Sequence, residues 1–376
     1  MNTVLVFIKK EFLQFTRDPK MFVIILVAPV IQLIFLGYAA NMDVNKVYTV
    51  VFDKDRSNES KEFIRNFEKS GYFEIIDYVD NYDDLTKAID KNNALVALII
   101  PTDFSKNKNL NRTIDVQAIF DGSDGNKSSI AQGYMQSIVL NYSTNINLEY
   151  INKRGLKIET LPKIVSEVRV WYNPELKTRN FMVPGIVGLL LMIITLLLTS
   201  LAIVKEKEIG TLEQLIVSPI KPYQMIIGKL VPFALMGFVS IIVVLTAMMV
   251  VFEIPVRGNM VFLFVCSGIF ILNLLGLGLF ISIFSKTQQQ AMMLSIFGLM
   301  MPMIFLSGFS FPIENMPLVI KTITYIIPLR YFMTIIRGII LKGIGFAELW
   351  KELLILTVMG IGILVLSIKG FRKKLE

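Results

Sequence analysis

The stretch FMVPGIVGLLLMIITLLLTSLAIV, residues 181–204, decides how the rest of the chain is read. It carries no charge from end to end, and a helix needs about 20 such residues to cross a bilayer. Similar runs lie at 21–40, 230–252, 260–284 and 291–309, with a weaker one at 349–368, where Lys351 and Glu352 sit near one end. The chain therefore reads as a polytopic α-helical membrane protein with six transmembrane helices. An even number of crossings puts both termini on one side. The runs also explain an apolar content of 54%, against about 45–50% in soluble proteins.

The net charge is +8, and its distribution is uneven. Residues 41–180 hold 19 Lys/Arg against 20 Asp/Glu, while the remainder holds 19 basic and 10 acidic residues. That excess flanks the apolar runs at Lys9, Lys10, Arg17 and Lys20, at Lys205, Lys207, Lys221 and Lys229, at Lys286, and at Lys369, Arg372, Lys373 and Lys374. Lys and Arg collect on the cytoplasmic side of membrane proteins. The expectation is an inner (cytoplasmic) cell-membrane protein with both termini cytoplasmic, in contact with lipid and not with nucleic acid. Residues 311–348 fit less well, since they would lie outside and yet contain Lys321, Arg330, Arg337 and Lys342. Their two apolar stretches, 317–327 and 331–341, are too short to span. They read as re-entrant or interfacial helices over 311–345, separated at Pro328, where packing against a bundle tolerates irregular backbone.

Residues 1–20 read as an amphipathic interfacial helix that ends at Asp18-Pro19, because the residue before proline is pushed out of the helical region. A signal peptide with cleavage after Ala39 is the alternative, but the run 21–40 is longer than a usual signal core and further spans follow it. The insertion 41–180 reads as an extracytoplasmic α/β domain placed after the first span. Strands are expected at 47–52, 72–79, 95–100, 113–120 and 165–172, and helices at 59–69, 82–91 and 128–152. Phe63, Ile64 and Phe67 recur at helical spacing.

Several chemistries are missing. There is no histidine, and Cys266 is the only cysteine, which excludes an internal disulfide, His-based catalysis and thiolate metal clusters. No G-x-x-x-x-G-K-[ST] stretch occurs, so no phosphate loop is present, and no G-x-S-x-G elbow occurs either. Asp121 and Asp124 lack calcium-loop spacing and read as a solvated turn. The chain is thus expected not to be an enzyme and to bind no cofactor or metal. The middles of the spans hold Gln32, Asn273 and Ser/Thr but no ionisable residue, which disfavours an ion-driven transporter and favours an external energy source. Asn273 reads as an interhelical hydrogen bond.

The loop 205–229, KEKEIGTLEQLIVSPIKPYQMIIGK, alternates in charge and then opens an amphipathic turn. Thr211 is a natural N-cap, Leu212, Leu215 and Ile216 share one side, and Pro219 and Pro222 are expected to end the helix. A short helix with charged edges suits the docking of a soluble partner, although an ordinary solvated loop would carry the same Lys/Glu pairs.

Here the sequence resembles permeases of type-2 ABC exporters, in the subgroup with a large extracytoplasmic domain between the first two spans. The matching residues are Glu206, Glu208, Gly210, Thr211, Glu213, Leu215, Ser218-Pro219 and Gly228-Lys229, in that order, with Lys207 where the family often has Arg. Near the end, Gly308–Pro312, Pro328–Tyr331 and Arg337-Gly338 match a second set. The resemblance implies a coupling helix at about 205–219 docked on a cytoplasmic ATP-binding-cassette ATPase, a separate subunit that would carry ATP-Mg. It implies a second contact through residues 3–17, and a working unit of two permeases, as homodimer or paired paralogues, with two ATPases. The Met-rich fifth span (Met292, Met293, Met300, Met301, Met303) suits a hydrophobic or amphipathic cargo such as a drug-like molecule or lipid, or else faces lipid. A membrane sensor whose outer domain binds a ligand is the alternative function.

Overall fold

The computed structural model describes residues 2–17, 23–40, 46–110, 112–153, 171–173, 177–210 and 222–373. They fall into two compact units, 42–168 and the remainder of the chain.

The larger unit is helical. It contains α1 (Asn2–Arg17) and α2 (Val23–Ala39), then the long α7 (Thr178–Ile209), α8 (Pro222–Val251), α9 (Met260–Phe284), α10 (Gln288–Leu306), α11 (Leu318–Thr324), α12 (Pro328–Lys342) and α13 (Phe346–Lys373). Five of these are long and apolar enough to cross a membrane, and Val23–Ala39 is a shorter apolar helix. They coincide with the six runs read from the sequence. α11 and α12 meet at a bend of 79° at the break before Pro328, where the sequence places its two short segments. α7 is the central helix, buried along most of its length, and it packs against α2, α8, α9 and α12.

One boundary differs from expectation. Charge does not end a helix. Lys205, Glu206, Lys207 and Glu208 continue α7 to Ile209, since Lys and Glu are good helix formers. The stop comes at Gly210, which adopts a left-handed φ of +81° as the C-cap. Pro222 is the first described residue of α8, and the helix end expected at Pro219 and Pro222 falls on residues outside the described ones. Gly228 and Lys229 therefore lie in α8, both buried.

The smaller unit holds a four-stranded sheet in the order β2-β1-β3-β4. Its strands are β1 (Val47–Asp53), β2 (Phe73–Tyr78), β3 (Val96–Ile100) and β4 (Gln117–Phe120); its helices are α3 (Asn58–Lys69), α4 (Tyr82–Asp90), α5 (Phe104–Asn109) and α6 (Gly125–Lys153). β1 pairs in parallel with β2 and β3, and β3 pairs antiparallel with β4. Alternation along β3 sorts the core. Val96, Leu98 and Ile100 join Phe63, Ile64 and Phe67 of α3 on one face, while Ala97 and Ile99 meet Leu85 of α4 on the other. Ser57 and Asn81 cap α3 and α4 by accepting from the amides of Ser60 and Asp84. The strand expected at 113–120 is shorter, because only 117–120 pairs with β3. Of the strand expected at 165–172, residues 165–170 lie outside the described residues, and Trp171 and Tyr172 are not in a strand.

Candidate functional site

The charged end of α7 carries a cluster of polar contacts. Successive residues on a helix point about 100° apart, so Glu206, Lys207 and Glu208 face three directions. Each finds a different neighbour. The Glu206 carboxylate forms ion pairs with Lys10 of α1 at 3.3 Å and with Lys229 of α8. Lys10 also reaches Glu11, 3.5 Å away, and Glu11 is buried. The Lys207 ammonium donates to the Ser285 carbonyl at 2.8 Å and to the Ser282 carbonyl at 3.4 Å. Those carbonyls close the C-terminal end of α9, where a helix dipole favours a cation. The Glu208 carboxylate accepts from the Gln288 amide at 3.2 Å and its side-chain Nε2 at 2.9 Å. Gln288 opens α10, where the dipole favours an anion.

Three consecutive side chains thus tie the end of α7 to α1, α8, α9 and α10. Lys229 is 5% exposed. A buried ammonium is tolerated when paired and hydrogen-bonded, and Glu206 supplies that partner. Of the residues singled out in the sequence, Glu206 and Lys229 come together, Glu208 turns to α10, Gly210 caps α7 and Gly228 is buried next to Lys229. Thr211, Glu213, Leu215 and Pro219 lie outside the described residues.

The sequence motif did not single out Lys10 or Gln288, and it gave Lys207 only as the residue standing where the family often has Arg. Lys10 is visible in sequence only as part of a basic helix, and its pairing with Glu206 across 196 positions leaves no local signal. The α1 helix packs against α8, which is what brings Lys10 into reach.

A second tie joins the opposite ends of these helices. The Arg337 guanidinium, at the end of the first part of α12, stands 3.8 Å from the Phe181 ring centroid on α7 and donates to the Gly308 carbonyl at 3.0 Å. Within the bundle, the Asn273 side-chain amide donates to the Leu356 carbonyl at 3.0 Å, joining α9 to α13 as an interhelical bond. Among the described residues no cluster of His, Cys, Asp or Glu could hold a metal ion.

The profile of the ABC-2 family transporter proteins matches residues 19–369. The chain belongs to the ABC-2 transporter family. The permease is 33% identical over 355 residues to the probable multidrug ABC transporter permease YbhR of Escherichia coli, covering 94% of this chain and 93% of that one. It is 31% identical to the probable multidrug ABC transporter permease YbhS of Escherichia coli, over 89% of this chain and 87% of that one. It is 23% identical to the inner membrane transport permease YhhJ of Escherichia coli, over 97% and 95% of the two chains. This protein is accordingly a multipass membrane permease of an ABC transporter.

Proposed function

We propose that this permease exports a hydrophobic or amphipathic compound, drug-like or lipid, driven by a cytoplasmic ATP-binding-cassette ATPase encoded on a separate chain. ATP-Mg would bind that subunit, since this sequence holds no phosphate loop. The ATPase docks at the coupling segment 205–229, with Glu206, Glu208, Gly210, Thr211, Glu213, Leu215, Pro219, Gly228 and Lys229 forming or supporting the docking surface. Two permeases and two ATPases make the transporter. Both termini are cytoplasmic, and the unit 42–168 lies outside.

The observation that carries this reading is the fan of ties at residues 206–208. The end of α7, from which the coupling segment continues, is tied through those side chains to four other helices. A partner that moves this segment therefore acts on the bundle. The multidrug names of the relatives support the cargo class, as does the apolar character of the spans.

Co-expression with an ATP-binding-cassette ATPase tests the reading. The two chains are expected to co-purify, with transport of a fluorescent hydrophobic dye in proteoliposomes that requires both chains and ATP. Failure of every such ATPase to associate with the permease would reject it.

A further inference from the structure

The unit 42–168 contains a cavity of about 560 Å³ that the transport reading does not use. Small-molecule sites commonly enclose about 300–1,000 Å³. The floor is apolar and comes from separate elements: Phe63 of α3, Leu98 of β3, Phe104 of α5 and Met135 of α6, all buried. The rim is polar, with Lys108 of α5, Arg112, Asp115 and Tyr142 of α6.

Lys108 is the best-placed rim group. Its side chain is 16% exposed, and its ammonium donates to the Tyr142 hydroxyl at 3.1 Å and to the Glu62 carboxylate at 3.2 Å. An ammonium has three donors, so one remains to point at a ligand. The Arg112 side chain makes no hydrogen bond or ion pair among the described residues. Glu62 pairs with Lys108 from outside the lining, mostly in solvent, and the described lining itself holds two cations against one carboxylate, Asp115.

An apolar floor beneath two cations calls for an apolar body with an anionic head. A neutral amphiphile would offer no charge to the third Lys108 donor and would gain nothing from the Arg112 guanidinium, which is exposed at the rim. A cationic one would meet both charges at close range. We infer that this unit binds a single-chain amphipathic anion, with its tail on Phe63, Phe104 and Met135 and its carboxylate or phosphate head held by Lys108, Arg112 and the Tyr142 hydroxyl. The inference stands on this unit alone and is independent of the coupling segment.

The test is photolabelling of the full-length permease in nanodiscs with a diazirine-bearing dodecanoate, followed by peptide mapping. Label is expected on peptides from 58–69 and 125–153. Unlabelled dodecanoate or dodecyl phosphate should displace it, the better competitor naming the head group, while dodecyltrimethylammonium should not. Lys108→Met keeps the stem but removes the charge, and should weaken labelling roughly tenfold, as expected for a lost charge-assisted hydrogen bond. Lys108→Arg should retain most of it, and Met135→Trp, which fills the floor, should abolish it. If Met135→Trp does not fold, the Lys108 pair and the competitors still decide. Label confined to the membrane helices, equal displacement by the cationic amphiphile, or undiminished labelling of Lys108→Met would overturn the inference.

Discussion

In the unit 42–168, Phe67 is wholly buried with its ring edge-on to Phe63 and Phe73, at centroid distances of 5.2 and 5.3 Å. In the helical unit Phe270 and Phe332 also stack, at 4.1 Å, but helices are further brought together at glycines. A Cβ on Gly278 of α9 would stand 2.8 Å from Thr199 Cβ on α7, and the helix ends are fastened by charge. The solvent each unit faces gives these contacts different weight. Water drives aromatic rings together, by roughly 25 cal/mol per Å² of apolar surface buried. Lipid tails are as apolar as leucine, so spans associate through close packing and polar ties instead. The same substitution should therefore have different consequences in the two units.

The largest effect is expected at the polar ties. Removing one member of a buried ion pair costs about 3–5 kcal/mol, and Glu206→Lys adds a third cation beside Lys10 and Lys229. The variant should insert in the membrane but lose ATP-driven efflux, and efflux at the wild-type rate would break the assignment. Next comes the aromatic core. Phe67→Ala should destabilise the unit 42–168 by about 3–5 kcal/mol, seen as faster proteolysis within that unit while the spans stay protected. Equal loss of protection in both units would show that they do not unfold separately. Gly278→Leu overpacks the α7–α9 contact at a cost of about 1–3 kcal/mol. A lower thermal midpoint in detergent, with the proteolysis of 42–168 unchanged, is the expected pattern. Gly210→Ala places a Cβ on a left-handed residue at about 1–2 kcal/mol, and coupling between ATP hydrolysis and transport should weaken without loss of either chain from the complex.

The smallest effect concerns acid. The Asp84 carboxylate is held below its ordinary range by Lys87, 3.1 Å away, and by the Asn81 amide at 2.9 Å. A carboxyl with a depressed folded pKa contributes stability above its unfolded pKa, and that contribution is lost as pH falls through the folded value. Asp84 is on the surface, where such pairs are weak. Asp84→Asn should leave the acid-unfolding profile of the unit nearly unchanged, and a large shift would show that surface charge matters more here than the aromatic core.

The spans were legible because an uncharged run of bilayer length has few other structures open to it. Phe63, Ile64 and Phe67 announced their helix by spacing, and the strands around Val50 and Leu98 by their apolar runs. The helix ends were not legible from charge. Lys205–Glu208 looked like a loop because polarity marks loops in soluble proteins, yet a helix leaving a membrane can continue through charged residues until a glycine stops it. The pairs Lys10–Glu206 and Glu206–Lys229 were out of reach for a different reason. They depend on which helices are neighbours: the motif names Glu206 and Lys229 without saying that they meet, and it does not name Lys10. At the other end, Arg337 was visible as part of a motif, but its position over the Phe181 ring was not.

The fan of Glu206, Lys207 and Glu208 also has a mechanical meaning. A helix fastened on one side can roll about its axis. One fastened on three sides, about 100° apart, cannot roll without stretching at least one of its ties. A push arriving at Gly210 is then denied the easy motion of twisting α7 alone. It has to tilt α7 together with α1, α8, α9 and α10, so a small displacement at one point becomes a concerted displacement of five helices.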